Sequence, residues 1–283
     1  MAPAMNVQMW NNPIVQENVS KLRSLGVVFI DPEEGYLAEG IEGQGRMANL
    51  KTILKTTEKV INRGIQDLAE ETILVTAGPT CEDIDPVRFL TNRSSGKMGY
   101  AIAAAAQKRG AKTILISGPT SLPIPPKVRF FQVRSAEEMK CKVLQHFPAS
   151  TILIKAAAVG DFKLKEIAKQ KIKKNNFSHN LILVPTVDIL SELIKHKQQQ
   201  ILVGFAAETE KAHELGRQKM NDKELDMIVI NDVTQQDAGF DSDTNVVTII
   251  SKSGKELSVD HSSKSKIAHT ILDQIITLKK HYV

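Results

Sequence analysis

One polar stretch carries most of the groups in this sequence that could do chemistry. It spans residues 76–99, reads TAGPTCEDIDPVRFLTNRSSGKMG, and contains two arginines, one asparagine, one lysine and two serines beside glycines. Ser94, Ser95 and Gly96 stand where a helix should begin, so unpaired backbone N–H groups and the positive end of the helix dipole would face a ligand. The stretch therefore predicts a binding loop for a phosphate or a carboxylate.

The alternative for this stretch is a long strand-to-helix connection whose serines only cap the helix. Loops longer than about 12 residues inside compact domains are usually functional or disordered. Ile84, Val87, Phe89 and Leu90 supply apolar anchors that a disordered segment lacks. The stretch contains neither GxGxxG nor GxxxxGK[ST], which argues against a standard dinucleotide fold and against a P-loop.

A second feature is a cluster of lysines within residues 163–174, inside a chain of net charge +5. The cluster consists of Lys163, Lys165, Lys169, Lys171, Lys173 and Lys174. It indicates an anionic partner. Nucleic acid is disfavoured because no aromatic residue lies between Phe162 and Phe177, so a small polyanion fits better. A solvated basic turn is the alternative.

These groups must be positioned by an alternation of strands and helices that begins near residue 72. Strands are predicted for residues 72–75, 112–117, 128–133, 151–155, 201–205 and 226–230, with a closing hairpin of 246–250 and 256–259. Helices are predicted for residues 100–110, 135–146, 185–195, 210–223 and 263–278. The pattern is that of an α/β fold, a Rossmann-like, mostly parallel sheet with helices on both faces.

Polar residues follow several of these predicted strands. The loop 76–99, Asp161, Glu208 and the pair Asn231 and Asp232 all come at carboxyl ends. Ligands of open α/β sheets bind at that edge, so we expect these residues to share one cleft. Glu208 could instead be a structural acid that pairs with a nearby lysine.

Composition sets further limits. The 283 residues with 42% hydrophobic content allow one large domain or two smaller ones. The apolar runs are strand-sized and the amino terminus does not resemble a signal peptide, so we expect a cytoplasmic protein with no membrane partner. Cys81 and Cys141 are expected to be reduced thiols, and the histidines are scattered without metal-like spacing, so no metal ligands are assigned.

The first part of the chain differs from the rest. It contains the segment PAMNVQMW, a predicted helix over residues 13–25, a predicted strand over 27–30 and the glycine-rich GIEGQGRM. Residues 1–50 are too few for a domain, and 51–67 predict a connecting helix. We therefore expect an amino-terminal segment 1–50, a linker 51–70 and a main domain 71–283.

The motifs of the main domain resemble a known family. From residue 72 to about 278, TAGPTCEDIDPVRFLTNRSSGKMG, KAAAVGDF, KIKK, GFAAET and IVINDV are similar in order and spacing to the ligase half of the bacterial bifunctional phosphopantothenoylcysteine decarboxylase/phosphopantothenate-cysteine ligase of coenzyme A synthesis. PAMNVQMW resembles the end of the flavodoxin-like decarboxylase half, so residues 1–50 resemble a partial flavodoxin-like segment.

The resemblance implies a ligase that joins 4'-phosphopantothenate to L-cysteine with CTP, through an acyl-cytidylate, and that works as a homodimer through the ligase domain. It implies Mg²⁺ as cofactor, with CTP as co-substrate, and leaves the preference for CTP over ATP open. FMN would be bound only in the presence of an intact decarboxylase partner. A separate flavoprotein subunit could be that partner.

The resemblance also implies roles for individual residues, which group into three sets. The catalytic set is Asn92 and Lys171. The substrate-binding set is Arg88, Asn92, Ser94, Ser95, Gly96 and Lys97. The nucleotide-binding set is Lys155, Ala156, Ala157, Asp161, Lys171, Val187, Asp188, Ile189, Leu190, Phe205, Lys219 and Lys223. For residues 155–157 the implied contact is made by the backbone.

The decarboxylase segment departs from the family pattern. Asn6 matches the position that would hold the pantothenate moiety, but Glu39 stands where the family carries its proton-donating cysteine. The part of the decarboxylase that precedes PAMN in the family is missing, so we expect no decarboxylation by this chain alone. Two alternatives remain: a non-catalytic subunit that completes a separate FMN-dependent decarboxylase, and a Rossmann-type oxidoreductase, which the missing GxGxxG disfavours.

Overall fold

The computed structural model describes residues 1–37, 39–62, 66–173, 180–208, 212–232 and 242–280. The chain forms two compact units, Met1–Ile65 and Gln66–Val283. Within the described ranges, none of the helices combines the length and the apolar composition that a bilayer crossing requires.

The first unit consists of short elements. Its helices are α1 (Val7–Trp10), α2 (Pro13–Ser24) and α3 (Leu50–Asn62), and its strands β1 (Glu33–Tyr36) and β2 (Glu42–Arg46) pair as an antiparallel hairpin. The predicted helix over residues 13–25 is present because Asn12 caps it by accepting from Ile14 N–H, and Pro13 has the φ angle that a first helical turn requires.

The strand predicted for residues 27–30 is not formed, so that prediction is wrong. The backbone of this segment bonds to the start of the chain: the Met1 amino group donates to the Val28 carbonyl at 2.6 Å, and Ile30 N–H donates to the Met1 carbonyl at 2.9 Å. A strand requires a ladder along a neighbouring strand. Among the described residues no such ladder forms here.

The second unit is built on one eight-stranded sheet. Across the sheet the strands are β14 (Glu256–Ser263), β13 (Thr244–Ser251), β12 (Met227–Asp232), β11 (Ile201–Glu208), β8 (Ile152–Lys155), β3 (Thr72–Ala77), β6 (Lys112–Ser117) and β7 (Arg129–Gln132). The strands from β12 to β7 are parallel, while β13 and β14 are antiparallel at one edge. The predicted mostly parallel sheet with a closing hairpin is confirmed.

Helices cover both faces of this sheet. They are α4 (Lys97–Lys108), α5 (Ala136–His146), α6 (Ile189–Ile194), α7 (Ala212–Asp222) and α8 (Lys264–Lys279). Successive side chains of a strand point to opposite faces. On β3, Ile73 and Val75 pack in the core that α4 and α8 share, whereas Leu74 packs in the core of α5, α6 and α7. The predicted Rossmann-like α/β fold is confirmed.

Two short antiparallel pairs in the loops are not predicted from the sequence. β4 (Cys81–Asp83) pairs with β5 (Phe89–Thr91) after the first strand of the sheet. β9 (Phe162–Leu164) pairs with β10 (Leu183–Pro185) after β8. Strands of three residues are too short to produce a periodic pattern, so only their partners reveal them.

The helix predicted for residues 185–195 begins later than expected. Pro185 is the last residue of β10, and α6 begins at Ile189, where the Asp188 side chain accepts from Ser191 N–H at 3.1 Å. The start predicted at Pro185 is therefore wrong, because Asp188 is the better capping residue and fixes the start.

Candidate active site

A cleft of about 440 Å³ opens at the carboxyl ends of the parallel strands. Residues 92–99 line it after β3, and residues 155–159 with Asp161 line it after β8. Phe205, Lys219 and Asn231 contribute from β11, α7 and β12. Asp161 and Asn231 thus share one cleft with the loop 76–99, while the side chains of Glu208 and Asp232 lie outside the described residues.

The amino end of α4 faces this cleft. Gly96 precedes the helix with φ of 76°, a left-handed conformation that glycine adopts without strain. Gly99 brings the helix so close to β3 that a Cβ at this position would lie 2.6 Å from Cβ of Ala77. Helix-end N–H groups and the positive dipole end are thereby held at the cleft, which suits an anion.

The residues assigned to substrate binding at this helix end are brought together. Ser94, Ser95, Gly96 and Lys97 all line the cleft. The Lys97 ammonium also forms an ion pair with Asp243 at 2.7 Å. Lys97 therefore contributes a positive charge that is already partly balanced.

Asn92 joins the loop after β3 to the loop after β8. Its side-chain nitrogen donates to the carbonyl oxygens of Ala158 at 3.3 Å and Val159 at 3.1 Å. Because both contacts use the nitrogen, the side-chain oxygen is the atom left to accept a hydrogen bond from a ligand.

Arg88 is placed differently from the other residues of the substrate set. Its guanidinium donates to the Asp85 carboxylate, with Nε at 3.0 Å, and to the Ile172 carbonyl at 2.8 Å. Arg88 is not among the described residues that line the cleft. The Arg88 guanidinium and backbone N–H groups hold the pKa of Asp85 well below its usual range.

The lysine cluster lies beside Arg88. Lys163, Lys165, Lys169, Lys171 and Lys173 are exposed, and Lys174 lies outside the described residues. Ala168 N–H donates to the Ile84 carbonyl at 3.0 Å, which ties this segment to the loop after β3. Lys171 itself does not line the cleft among the described residues.

A second compartment of about 220 Å³ adjoins the cleft. The two share Lys155, Val159, Asp161, Leu190 and Lys219. The further lining residues are Gly160, Thr186, Val187, Asp188, Ile189 and Lys223. This compartment collects most of the residues that the resemblance assigned to a nucleotide, while Ala156, Ala157 and Phe205 line the cleft next to it.

Two lysines of this compartment are held by hydrogen bonds. Lys219 Nζ donates to the Phe205 carbonyl at 2.9 Å, and Lys223 Nζ donates to the Asp188 carboxylate at 2.5 Å and to Ser191 Oγ at 3.1 Å. Although burial alone would raise it, hydrogen bonds from Lys223 and Ser191 lower the pKa of Asp188 to about 2. The Lys223 charge is therefore paired before any ligand binds.

The Lys155 side chain is a feature that sequence reasoning missed, because only its backbone was assigned. It lines both compartments at the end of β8. Burial, assisted by the nearby Lys219 ammonium, lowers the pKa of Lys155 to about 8. A lysine at the end of a buried strand is the signal that could have identified it.

Asn245 and Lys264 also line the cleft and were not predicted. Asn245 lies on the antiparallel β13 and Lys264 begins α8, so no strand-end rule applies to either residue. The part of the chain that the structure describes contains no group of three His, Cys, Asp or Glu side chains that could hold a metal ion.

The two residues of the first unit to which the resemblance assigns roles in decarboxylation lie in different elements of that unit. Asn6 caps α1 by accepting from Gln8 N–H at 2.8 Å. Glu39 is exposed in the turn between β1 and β2. These positions leave both roles as predictions.

Two families match the chain, one in each unit. Residues 68–278 match the family described as DNA/pantothenate metabolism flavoprotein C-terminal domain. Residues 1–62 match the family described as Flavoprotein.

Relatives and solved structures agree with these matches. The chain is 47% identical over 289 residues to the coenzyme A biosynthesis bifunctional protein CoaBC of Bacillus subtilis (strain 168), covering 99% of this chain and 70% of that protein. It is 40% identical over 290 residues to a cysteine/cysteine sulfinic acid decarboxylase of an unknown prokaryotic organism, covering 98% of this chain and 79% of that protein. The solved C-terminal domain of the coenzyme A biosynthesis bifunctional protein CoaBC has 42% identity and a TM-score of 0.66, covering 76% of this chain and 99% of that one.

Proposed function

The chain belongs to the family of the coenzyme A biosynthesis bifunctional proteins, and from this premise we propose that its second unit is a phosphopantothenate-cysteine ligase that uses CTP. One observation carries the proposal. The helix end of the loop after β3 and the lysines of the second compartment meet at Lys155 and Asp161, so two anionic substrates would be joined there.

The proposed reaction has two steps. The carboxylate of 4'-phosphopantothenate attacks the α-phosphate of CTP, forming a new P–O bond while pyrophosphate leaves. The amine of cysteine then attacks the acyl carbon of this acyl-cytidylate, forming the amide while CMP leaves and the amine loses a proton.

Bringing the two substrates together requires positive charge against their mutual repulsion. The amino end of α4 supplies N–H donors on one side. Lys155 and Lys219 supply ammonium groups on the other. Lys171, which is exposed and outside the described lining of both compartments, is proposed to neutralise charge that develops on the reacting phosphate. Together, the helix end and these three lysines would offset the negative charge of the two polyanionic substrates.

Asn92 is proposed to act on the acyl-cytidylate. Its nitrogen is engaged by the loop after β8, so its oxygen would accept from the incoming amine. A neutral amide can do this without adding charge to an anionic site.

Mg²⁺ is proposed as a further component of the site. When bound, it would reduce the negative charge of the phosphate groups. Asp161 is a carboxylate that lines both compartments, but the described residues offer no set of three ligands. The donor set therefore fits an ion that is held mainly by phosphate and water.

A homodimer is proposed to form through the second unit. The neighbouring strand pairs β4–β5 and β9–β10 expose Phe89, Phe162 and Leu183. An apolar surface of this kind suits a second copy of the chain better than water. The variant Phe162→Glu tests this surface by light scattering. Its molar mass is expected to fall from that of two chains to that of one chain.

The first unit supports a second candidate. Its match to the flavoprotein family makes it suitable to complete an FMN site in a separate decarboxylase subunit. We propose that this chain alone does not decarboxylate, because Glu39 offers no thiol proton donor. Release of carbon dioxide from 4'-phosphopantothenoylcysteine by the chain alone would contradict this proposal.

The ligase is tested by following pyrophosphate release from CTP, with 4'-phosphopantothenate present or omitted, then with cysteine added. We expect release that depends on phosphopantothenate, and CMP with the cysteine amide after cysteine is added. The same assay with ATP measures the nucleotide preference. No release with either nucleotide would refute the ligase and favour the subunit role.

A further inference from the structure

Asp85 is a buried acid, and both oxygens of its carboxylate accept hydrogen bonds. The residue is 2% exposed and its side chain has no exposed surface. Oδ1 accepts from Val87 N–H at 2.8 Å and Arg88 N–H at 2.9 Å. Oδ2 accepts from the Arg88 guanidinium and from Ile172 N–H at 3.2 Å.

These bonds join two segments that are far apart in the chain. Ile172 N–H reaches Asp85, the Arg88 guanidinium reaches the Ile172 carbonyl at 2.8 Å, and Ala168 N–H reaches the Ile84 carbonyl at 3.0 Å. We call this arrangement of residues 84–88 and 168–172 the Asp85 clamp. It fixes the backbone on the carboxyl side of Lys171.

The clamp depends on the negative charge of Asp85. A buried carboxylate is costly unless its oxygens are paired, and here a guanidinium and three backbone N–H groups pair them. A neutral amide at this position would keep an acceptor but would present N–H groups toward Arg88 and Ile172. A neutral replacement would therefore break the contact with residues 168–172, the lysine segment, together with the contact to the Arg88 guanidinium.

We propose that Asp85 is a positioning residue for the ligation, because its carboxylate holds the lysine segment against the loop after β3 and so presents Lys171 to the reacting phosphate. This rests on the proposed ligase function. Arg88 belongs to the same clamp and acts on the lysine segment through Asp85 and the Ile172 carbonyl.

The test uses the full chain and compares Asp85→Asn, Lys171→Gln and the double variant. Each single change is expected to lower kcat about tenfold to hundredfold, as displaced groups do. The double variant is expected to be no slower than Lys171→Gln, because a residue that acts only through Lys171 has nothing left to position. Effects that multiply would overturn the proposal, as would an Asp85→Asn rate close to wild type.

Asp83→Asn is the matched control. Asp83 pairs with Arg134 in a half-exposed contact at 2.6 Å and takes no part in the clamp. It is expected to keep kcat within about twofold, since half-exposed ion pairs contribute little. A kcat loss equal to that of Asp85→Asn would overturn the proposal by showing that any acid in this loop matters equally.

Hydrogen exchange provides a measurement that does not depend on activity. In the wild-type chain the Ile172 amide is expected to exchange slowly, with the exposed Lys169 as reference, and to lose this protection in Asp85→Asn. An unprotected wild-type Ile172 amide would refute the clamp even if the variant did not fold. A wild-type chain without ligase activity but with a protected Ile172 amide would refute the proposed function instead.

Discussion

The side-chain nitrogen of Asn92 lies 3.1 Å from the carbonyl oxygen of Val159. With its second contact to Ala158, this bond closes one wall of the cleft by linking the loops that follow β3 and β8. The same side chain is proposed to contact the acyl-cytidylate. Its nitrogen makes the two contacts to the loop after β8, and its oxygen is the atom proposed to accept from the incoming amine.

Asn92→Asp is expected to reduce ligation about 10²-fold or more, because a carboxylate would face two carbonyl oxygens and would also repel anionic substrates. The steady-state rate of amide formation measures the loss. Asn11→Asp makes the same chemical change at an exposed position and is the control. An Asn92→Asp chain with normal turnover would remove Asn92 from the mechanism.

Lys171→Gln is expected to slow the overall reaction about tenfold to hundredfold, because a neutral amide cannot stabilise the charge that develops on the transferred phosphate. Pyrophosphate release and amide formation should both be measured, so that the affected step is identified. Lys169→Gln changes an exposed lysine of the same segment and is expected to leave the rate within about twofold. Equal losses in the two variants would attribute the effect to the general charge of the segment.

Lys155 is expected to make CTP binding depend on pH. Its ammonium shares the compartment with Lys219 on α7, Lys223 just after α7, Asp188 before α6 and Asp161 after β8. Burial lowers the pKa of Lys155 to about 8. Below that pH the charged form attracts the triphosphate. As the pH rises through about 8 the free protein loses this charge, and affinity should fall ~10-fold between about pH 7 and pH 9.5.

Titration calorimetry of CTP without cysteine measures this dependence, since bound anion would raise the pKa of Lys155 again and binding would take up protons. Lys155→Met should bind CTP weakly and with little change over the same range. Lys165→Met, in which the altered side chain is exposed and outside the cleft, should retain the wild-type profile. A wild-type profile that stays flat would exclude Lys155 as a contributor to nucleotide binding.

Gly99→Ala is expected to destabilise the chain by about 1–3 kcal/mol, because the added Cβ would lie 2.6 Å from Cβ of Ala77 and would push α4 away from β3. Chemical denaturation measures the loss. Gly160→Ala is the control, because a Cβ there would have its nearest neighbour at 3.5 Å. Since α4 carries the proposed anion site, the KM for phosphopantothenate should rise in Gly99→Ala as well.

Much of the fold could be predicted because the central strands are buried on both faces. Ile73, Leu74 and Val75 form a continuous apolar run, and such runs alternating with helical segments specify a parallel sheet. The rule that ligands bind at carboxyl strand ends then placed Asp161 and Asn231 in one cleft. These inferences need only local sequence and general topology.

The missed features depend on contacts between distant segments. Ile172 donates to Asp85 across 87 positions in the chain, and nothing in the local sequence DPVR indicates that partner. Asn245 reaches the cleft because β13 runs antiparallel to β12, which reverses the end at which its residues lie. Local patterns carry no information about such partners, so these features require coordinates.

The first unit is expected to make no contribution to the ligation. Removing residues 1–65 is expected to leave ligase activity within about twofold, because the cleft residues and both cores of the sheet belong to the second unit, which has a solved counterpart of 42% identity. A cut at residue 50 would instead leave most of α3, which belongs to the first unit, attached without the rest of that unit. Amide formation and molar mass of the shortened chain provide the measurement, and a folded dimer without activity would assign the first unit a part in the ligation.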